Sequence, residues 1–257
     1  MSVLTLYNNF PKIKKMKKLS IIIPVYNEEE FVEKTLLEIC DSNSFHLKKE
    51  IIVVDDGSKD KTKDKIEKAI KILKPKYKYI LFKTILKRFN EGKGAALRDG
   101  FKISTGDIVM IQDADLEYSP EDYPVLLEPF LKNYADVVYG SRFISNRPHR
   151  VLYFWHYQIN IFLTLFSNFF TNLNLTDMET GYKAFKGELI RNIADKLESN
   201  RFGFEPEITA KIAKVKGLKI FEVGISYSGR TYNEGKKIGW KDGVRALWEI
   251  VKFNLFR

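Results

Sequence analysis

The feature that most constrains this chain is a repeated pairing of a short, uninterrupted apolar run with a segment of helical periodicity. Leu19–Val25 (L-S-I-I-I-P-V), Glu50–Asp55 (E-I-I-V-V-D), Tyr79–Ile85 and Asp107–Gln112 (D-I-V-M-I-Q) have strand length. Runs that stay apolar at successive positions, instead of alternating, belong to strands covered on both faces. After the first run, Asn27 followed by Glu28, Glu29 and Glu30 predicts a capped helix start with its acids facing the helix dipole. Phe31, Val32, Leu36, Leu37 and Ile39 would form that helix's apolar face. Asp60–Leu73, Gly94–Ser104 and Pro120–Lys132 read as further helices, and Asp136–Tyr139 as a short strand. Strands alternating with helices at this spacing predict a parallel, doubly wound α/β sheet. No internal repeat and no linker divides it.

Composition narrows the function. The 257 residues can bury a substantial core, and 44% hydrophobic content excludes a disordered chain. The single Cys40 excludes an internal disulfide or a Cys-rich metal cluster and fits a reducing compartment. The net charge is +10, but it is unevenly placed. Met1–Lys18 holds five Lys and no acid, Arg230–Arg257 has an excess of four, and the 211 residues between carry only +1. A nucleic-acid binder spreads basic residues over its main domain, so no nucleic-acid partner is expected. Basic ends with aromatic neighbours read instead as contact with an anionic membrane surface. Met1–Lys18 has no apolar run of the kind a secretory leader needs, and Met16 is an alternative start. In that case Met1–Lys15 would be an extension without function.

Val151–Thr176 contains no charged residue, which invites a membrane span. Gln158, Asn160, Asn168, Asn172 and Asn174 argue against one, because a span needs about 20 predominantly apolar residues. Its aromatics suit a helix lying in the membrane interface or packed on the domain. Trp240–Phe256 is amphipathic too, with Trp240, Val244, Leu247, Trp248 and Val251 at helical spacing and Lys241, Arg245 and Lys252 supplying charge toward anionic lipid.

Ligands of open α/β sheets sit at the carboxyl ends of the strands. That rule selects Tyr26, Asn27 and Glu28 after the first strand, Asp55 and Asp56 after the second, and Asp113 and Asp115 after the fourth. Each motif alone reads as a turn, where Asp and Gly are common. Together they describe one acidic crevice that needs a cation, and hard oxygen donors without His or Cys suit Mg²⁺ or Mn²⁺ holding a diphosphate. Arg88–Ala96 (R-F-N-E-G-K-G-A-A) places two glycines and Lys93 before a helix, a phosphate-facing arrangement. It is not a P-loop, and no G-x-G-x-x-G follows the first strand, so ATP hydrolysis and a dinucleotide cofactor are disfavoured.

Ile21–Glu28 (I-I-I-P-V-Y-N-E), Val53–Ser58 (V-V-D-D-G-S), Asn90–Gly94 (N-E-G-K-G) and Asp113–Asp115 (D-A-D) together resemble glycosyltransferase family 2. Gly140–Arg142, Asp177–Phe185 (D-M-E-T-G-Y-K-A-F) and Tyr227–Lys237 extend the likeness to the polyprenyl-phosphate sugar synthases, the dolichyl-phosphate mannose and glucose synthases and their undecaprenyl-phosphate relatives. The resemblance implies a single GT-A (Rossmann-like) nucleotide-sugar-binding domain with C-terminal amphipathic helices. The expected divisions are a disordered basic extension over 1–18, a catalytic domain over 19–229, and a phosphate-binding loop and amphipathic helix over 230–257 within the same domain. The resemblance further implies that Pro24, Tyr26, Glu28 and Asp56, with Asp55 beside them, surround base and ribose. Asp113 and Asp115 would hold metal and diphosphate. Glu117 stands where the mannose synthases often place a Gln as a further metal ligand. Arg142, Arg230 and Lys236 would meet acceptor or leaving-group phosphate. Glu205, in F-G-F-E-P-E, would bind sugar hydroxyls, or else is an acid favoured at a helix N-terminus. Asp115, Arg142 and Glu205 are thus the expected catalytic residues.

The expected reaction is inverting transfer of a hexose from a UDP- or GDP-linked donor to a polyprenyl phosphate. The alternative is transfer to a glycan hydroxyl in lipopolysaccharide or capsule synthesis. A hydroxyl acceptor needs a general base, and no carboxylate stands out as one; Glu121-Asp122 is explained by helix capping. A phosphate acceptor is already mostly dianionic at neutral pH. D-M-E-T-G-Y-K leans toward a UDP-sugar. Attachment on the cytoplasmic face would be peripheral, or through a membrane-protein partner or homo-oligomer.

Overall fold

The central residues of three of the runs, 21–23, 51–54 and 108–111, are continuously apolar because each run faces two cores. The computed structural model describes residues 16–144, 149–151, 153–230 and 240–256. Strand β1 (Lys18–Val25) sends Ile21, Ile23 and Val25 into one apolar layer and Ile22 into the other. In β2 (Lys48–Asp55), Ile51 and Val53 oppose Ile52 and Val54 in the same way. Strand β4 (Ile108–Ile111) repeats the alternation. The layers are closed by helices α1 (Val32–Asp41), α2 (Thr62–Lys76) and α4 (Tyr123–Leu131) on one face. On the other lie α3 (Lys93–Ile103), α6 (Gly187–Ala194) and α7 (Phe204–Ala213).

With β3 (Leu81–Leu86), β5 (Val137–Ser141), β6 (Lys183–Lys186) and β7 (Ile220–Gly224), the sheet has seven strands in the order β3-β2-β1-β4-β6-β5-β7. Every pairing is parallel except those of β6, which runs antiparallel to both β4 and β5. The sheet is therefore the single α/β domain expected, with one reversed strand that periodicity did not announce. Two local readings need correction. Asn27 does not cap α1: its φ is +52°, its side-chain oxygen accepts the Lys59 N–H at 2.9 Å, and the helix starts only at Val32. Asp122 is more than a helix-capping acid, since it accepts the Ser226 N–H at 2.7 Å and hydroxyl at 2.6 Å.

Helix α5 (Phe154–Thr171) is the uncharged segment, and α8 (Trp240–Val251), continued by a π turn over Lys252–Phe256, packs beside it. Leu163, Met178, Ala246 and Ile250 form a small third core between them. None of the described helices is long and apolar enough to cross a membrane.

Candidate active site

Parallel pairing brings the ends of β1, β2, β4, β5 and β7 to one edge, with Val25 opposite Asp55 and Ser141 opposite Gly224. Glu28, Asp55, Asp56, Asp113, Asp115, Arg142 and Arg230 all follow those ends. Because β6 runs backwards, the residues that precede it, Asp177 to Tyr182, arrive at the same edge.

The second-strand acids organise loops. Asp55 accepts the N–H and hydroxyl of Ser58. Asp56 accepts the N–H groups of Glu91 at 3.1 Å and Gly92 at 2.6 Å, with Lys87 at 3.4 Å. This fixes the turn into α3. Gly92 has φ +105° and a Cβ there would lie 2.2 Å from the Asn200 carbonyl oxygen, so only glycine fits. Pro24 and Tyr26 are half-buried at the exit of β1.

The first turn of α3 delivers Lys93 into the acids. Its Nζ lies 3.0 Å from Asp113 and 3.3 Å from Glu205 Oε1. Burial opposes its charge, but Asp113 and Glu205 hold its pKa above the usual range. The β4 exit is tight: a Cβ on Gly181 would stand 2.3 Å from Asp113 Oδ2. Burial pushes the Asp115 carboxyl up to about 7, with Asp113 and Glu117 adding repulsion and Arg230 opposing them.

Arg230 is the clasp across this edge. It reaches Glu28 and Asp115 at 3.3 Å each and Glu117 at 3.5 Å, and lies over the Phe31 ring. Glu117 accepts the Arg230 N–H at 2.9 Å and the Tyr227 hydroxyl at 2.8 Å. Both its oxygens are thus engaged in seating the 227–230 segment. Arg142, 7% exposed, makes a two-pronged pair with Asp177, 2.7 Å on each arm, and donates to Asn160 of α5 at 3.2 Å. Its guanidinium also faces the Phe143 and Tyr227 rings. Glu205 sits in the first turn of α7 and is 5% exposed; its Oε2 is buried without a hydrogen-bond partner. Lys236 lies outside the described residues, as do all of 231–239 and the side chain of Lys241. Arg245 and Lys252 are each shared with acids, Glu249 for both and Glu198 for Lys252.

Comparison with known proteins decides the family. Residues 20–194, more than half of the chain, match the sequence pattern described as glycosyl transferase family 2. The chain belongs to glycosyl transferase family 2. This family 2 enzyme is 32% identical over 253 residues to an undecaprenyl-phosphate mannosyltransferase of Micrococcus luteus, covering 91% of the chain and 97% of that protein. It is 31% identical to a dolichol-phosphate mannosyltransferase of Pyrococcus furiosus, covering 92% of the chain but only 64% of the longer relative. A crystal structure of glucosyl-3-phosphoglycerate synthase from Mycobacterium tuberculosis, in complex with Mn²⁺, UDP and phosphoglyceric acid, superposes with TM-score 0.68 at 18% identity. That overlap spans 94% of this glycosyltransferase and 80% of the other chain, and shows that the fold is GT-A-like.

Motif reading gave no role to Asp177, Glu179 or Lys183, although all three belong to the acidic edge. Lys183 is 1% exposed, donates to the Thr180 carbonyl, and has its pKa lowered to about 8 by burial. Ligands are expected after strand ends, whereas Asp177 and Glu179 precede β6 and Lys183 is its first residue.

Proposed function

We propose that this family 2 glycosyltransferase moves a hexose from a UDP- or GDP-linked donor to the phosphate of a polyprenyl phosphate at the cytoplasmic face of a membrane. One observation carries the acceptor half: α5 is inside out. Its buried side chains are Asn160, Leu163, Thr164 and Ser167. Trp155, Phe162, Leu165 and Phe169 are 56–80% exposed. Asn160, on the inner face, accepts from Arg142, so one helix supports that arginine from its inner face and carries an apolar surface on its outer one. A helix that turns its largest apolar groups outward beside an anion site suits a lipid whose phosphate is the substrate. The two relatives, named for transfer to polyprenyl phosphates, support the same acceptor.

In the donor half, Pro24, Tyr26 and Glu28 would line the base and ribose pocket, with Asp55 and Asp56 holding its loops. Asp113 and Asp115 fit a divalent ion, Mg²⁺ or Mn²⁺: they are hard oxygen donors, and the raised Asp115 pKa marks a carboxyl short of positive charge. Among the described residues no three His, Cys, Asp or Glu groups converge to hold an ion unaided. The donor diphosphate would supply the remaining oxygens, as Mg²⁺ sites commonly arrange. Such an ion offsets charge developing on the departing diphosphate. An oxygen of the acceptor phosphate forms the new bond at the sugar's anomeric carbon on the face opposite the leaving group. The old C–O bond pair leaves with the nucleoside diphosphate. No proton need move, because the acceptor is already ionised. Arg142 and Arg230, and Lys236 beyond the described segment, would steady the phosphates, and Glu205 would hold sugar hydroxyls.

The test is product identity. The protein is incubated with Mg²⁺ or Mn²⁺, radiolabelled UDP- and GDP-sugars, and polyprenyl phosphate in anionic vesicles. An acid-labile lipid-linked sugar supports the proposal; transfer only to a glycan hydroxyl overturns it.

A further inference from the structure

Buried polar atoms in folded proteins nearly always find a partner, so those that do not call for an explanation. Among the described residues, two carboxyl oxygens at this edge lack one: Glu205 Oε2 and Glu179 Oε1. They come from different elements. Glu205 opens α7, whereas Glu179 lies in the segment that enters β6 from the active edge. Neighbours on both sides hold that segment. Asp177 grips Arg142, Met178 donates its N–H to Thr164 of α5 at 3.1 Å, and Gly181 donates to the Tyr118 hydroxyl at 2.9 Å while backing onto Asp113. Glu179 is thus fixed between the phosphate-binding Arg142 and the carboxylates that Lys93 joins, and its electrostatic neighbours are Glu205, Lys183, Arg142 and Asp177.

We infer that Glu179 is a specificity-determining residue that, with Glu205, binds hydroxyl groups of the transferred sugar. A hydroxyl can both give and take a hydrogen bond. Two buried carboxyl oxygens from different elements, each without a hydrogen-bond partner and close enough to interact electrostatically, would grip two hydroxyls and reject a sugar that lacks either. The strength of that rejection comes from leaving a buried carboxyl unpaired. Protonation supports the arrangement. Burial pushes the Glu179 carboxyl up to about 8, with Glu205 adding to the rise and Lys183 and Arg142 opposing it. At neutral pH Glu179 therefore carries a proton and offers both a donor and an acceptor. Lys93 is paired with Asp113 and Glu205.

This inference rests only on the nucleotide-sugar half of the function proposed above, so its test omits the acceptor. Calorimetric titration with Mn²⁺ present compares UDP-glucose and GDP-mannose with UDP and GDP alone. Glu179→Ala should weaken whichever nucleotide sugar the unsubstituted protein binds by about tenfold or more, and leave the matching nucleoside diphosphate unchanged. Glu179→Gln, which keeps a donor and an acceptor, should recover most of the loss. Mono-deoxy analogues of the bound sugar separate recognition from folding: at least one should bind about tenfold more weakly to the unsubstituted protein, and Glu179→Ala should close that gap. Parallel loss of sugar-bearing and sugar-free ligands, or no loss of either, would overturn the assignment. Failure of the unsubstituted protein to bind any nucleotide sugar would remove the donor reading and this inference with it.

Discussion

The two halves of the sheet build the same edge by opposite means. From β1 to β4 the strands run toward the edge, and β1, β2 and β4 place their acids at or shortly after their ends, where Asp56 accepts the Glu91 and Gly92 N–H groups. From β5 onward, a reversed strand brings Asp177 and Glu179 in from the other direction, and a surface helix supports them with a polar inner face. Asn160 meets Arg142, Thr164 meets the Met178 N–H, and Asn168 takes the Leu175 N–H and gives to its carbonyl. The contrast between helices is equally sharp. Helix α1 buries Val32, Leu36 and Ile39 beside a single polar Thr35, whereas α5 buries Asn160, Thr164 and Ser167 beside Leu163 and exposes Phe162, Leu165 and Phe169. A water-soluble helix gains by the first arrangement. The second is stable only where the inner polar groups are satisfied, and it leaves an apolar surface for something else to cover.

Substitutions in each half should therefore fail differently. Asp115→Ala should reduce sugar transfer by more than about 10³-fold, the scale of losing a main electrostatic group, while thermal unfolding and vesicle binding stay as before. Unchanged turnover would sink the metal assignment. Asp177→Ala should act through the fold: Arg142 would be left buried and unpaired, costing about 3–5 kcal/mol of unfolding free energy in denaturant titration. A loss under 1 kcal/mol would show that the second half does not depend on this pair.

The first half carries its own pH signature, away from the site. Glu50 is fully buried; burial alone would raise its pKa, but hydrogen bonds from Ser20, Thr105, Lys18 and Lys83 bring it down to about 2. Because the folded value lies below the ordinary 4.5, the stabilisation is complete above that pH and disappears as pH falls toward 2. Glu50→Gln should cost about 3 kcal/mol at pH 7 and progressively less below pH 4.5. A penalty constant from pH 7 to 3 would refute the assignment. The smallest stability effect belongs to α5. Replacing Trp155, Phe162, Leu165 and Phe169 together by Ser should shift unfolding by no more than about 0.5 kcal/mol per site, as exposed positions do, yet reduce co-sedimentation with anionic vesicles by about tenfold or more.

The sequence was most readable where one physical signal acted alone. Continuous apolar runs marked β1, β2 and β4 because both faces of each are buried, and the family motifs lie at their ends. Legibility fell where direction mattered. The K-A-F-K of β6 is only four residues long, and nothing in its pattern says that it runs backwards, so Glu179 before it was legible as part of a family motif but not as a site residue. Asn27 looked like a helix cap because its neighbours are acidic, but its left-handed backbone gives its side chain to Lys59 instead. In α5 the composition showed an uncharged aromatic segment, while which face turned outward depended on partners far away in the chain, Arg142 and Met178.

If α5 serves the acceptor and the first half of the sheet serves the donor, the two roles separate kinetically. Steady-state kinetics of the four-fold α5 variant can be measured with long-chain polyprenyl phosphate in anionic vesicles and with a short, water-soluble isoprenyl phosphate. The predicted result is an apparent KM raised about tenfold or more for the vesicle-bound acceptor, with the soluble acceptor and the nucleotide-sugar KM unchanged. Equal loss on both acceptors, or none on either, would contradict the account.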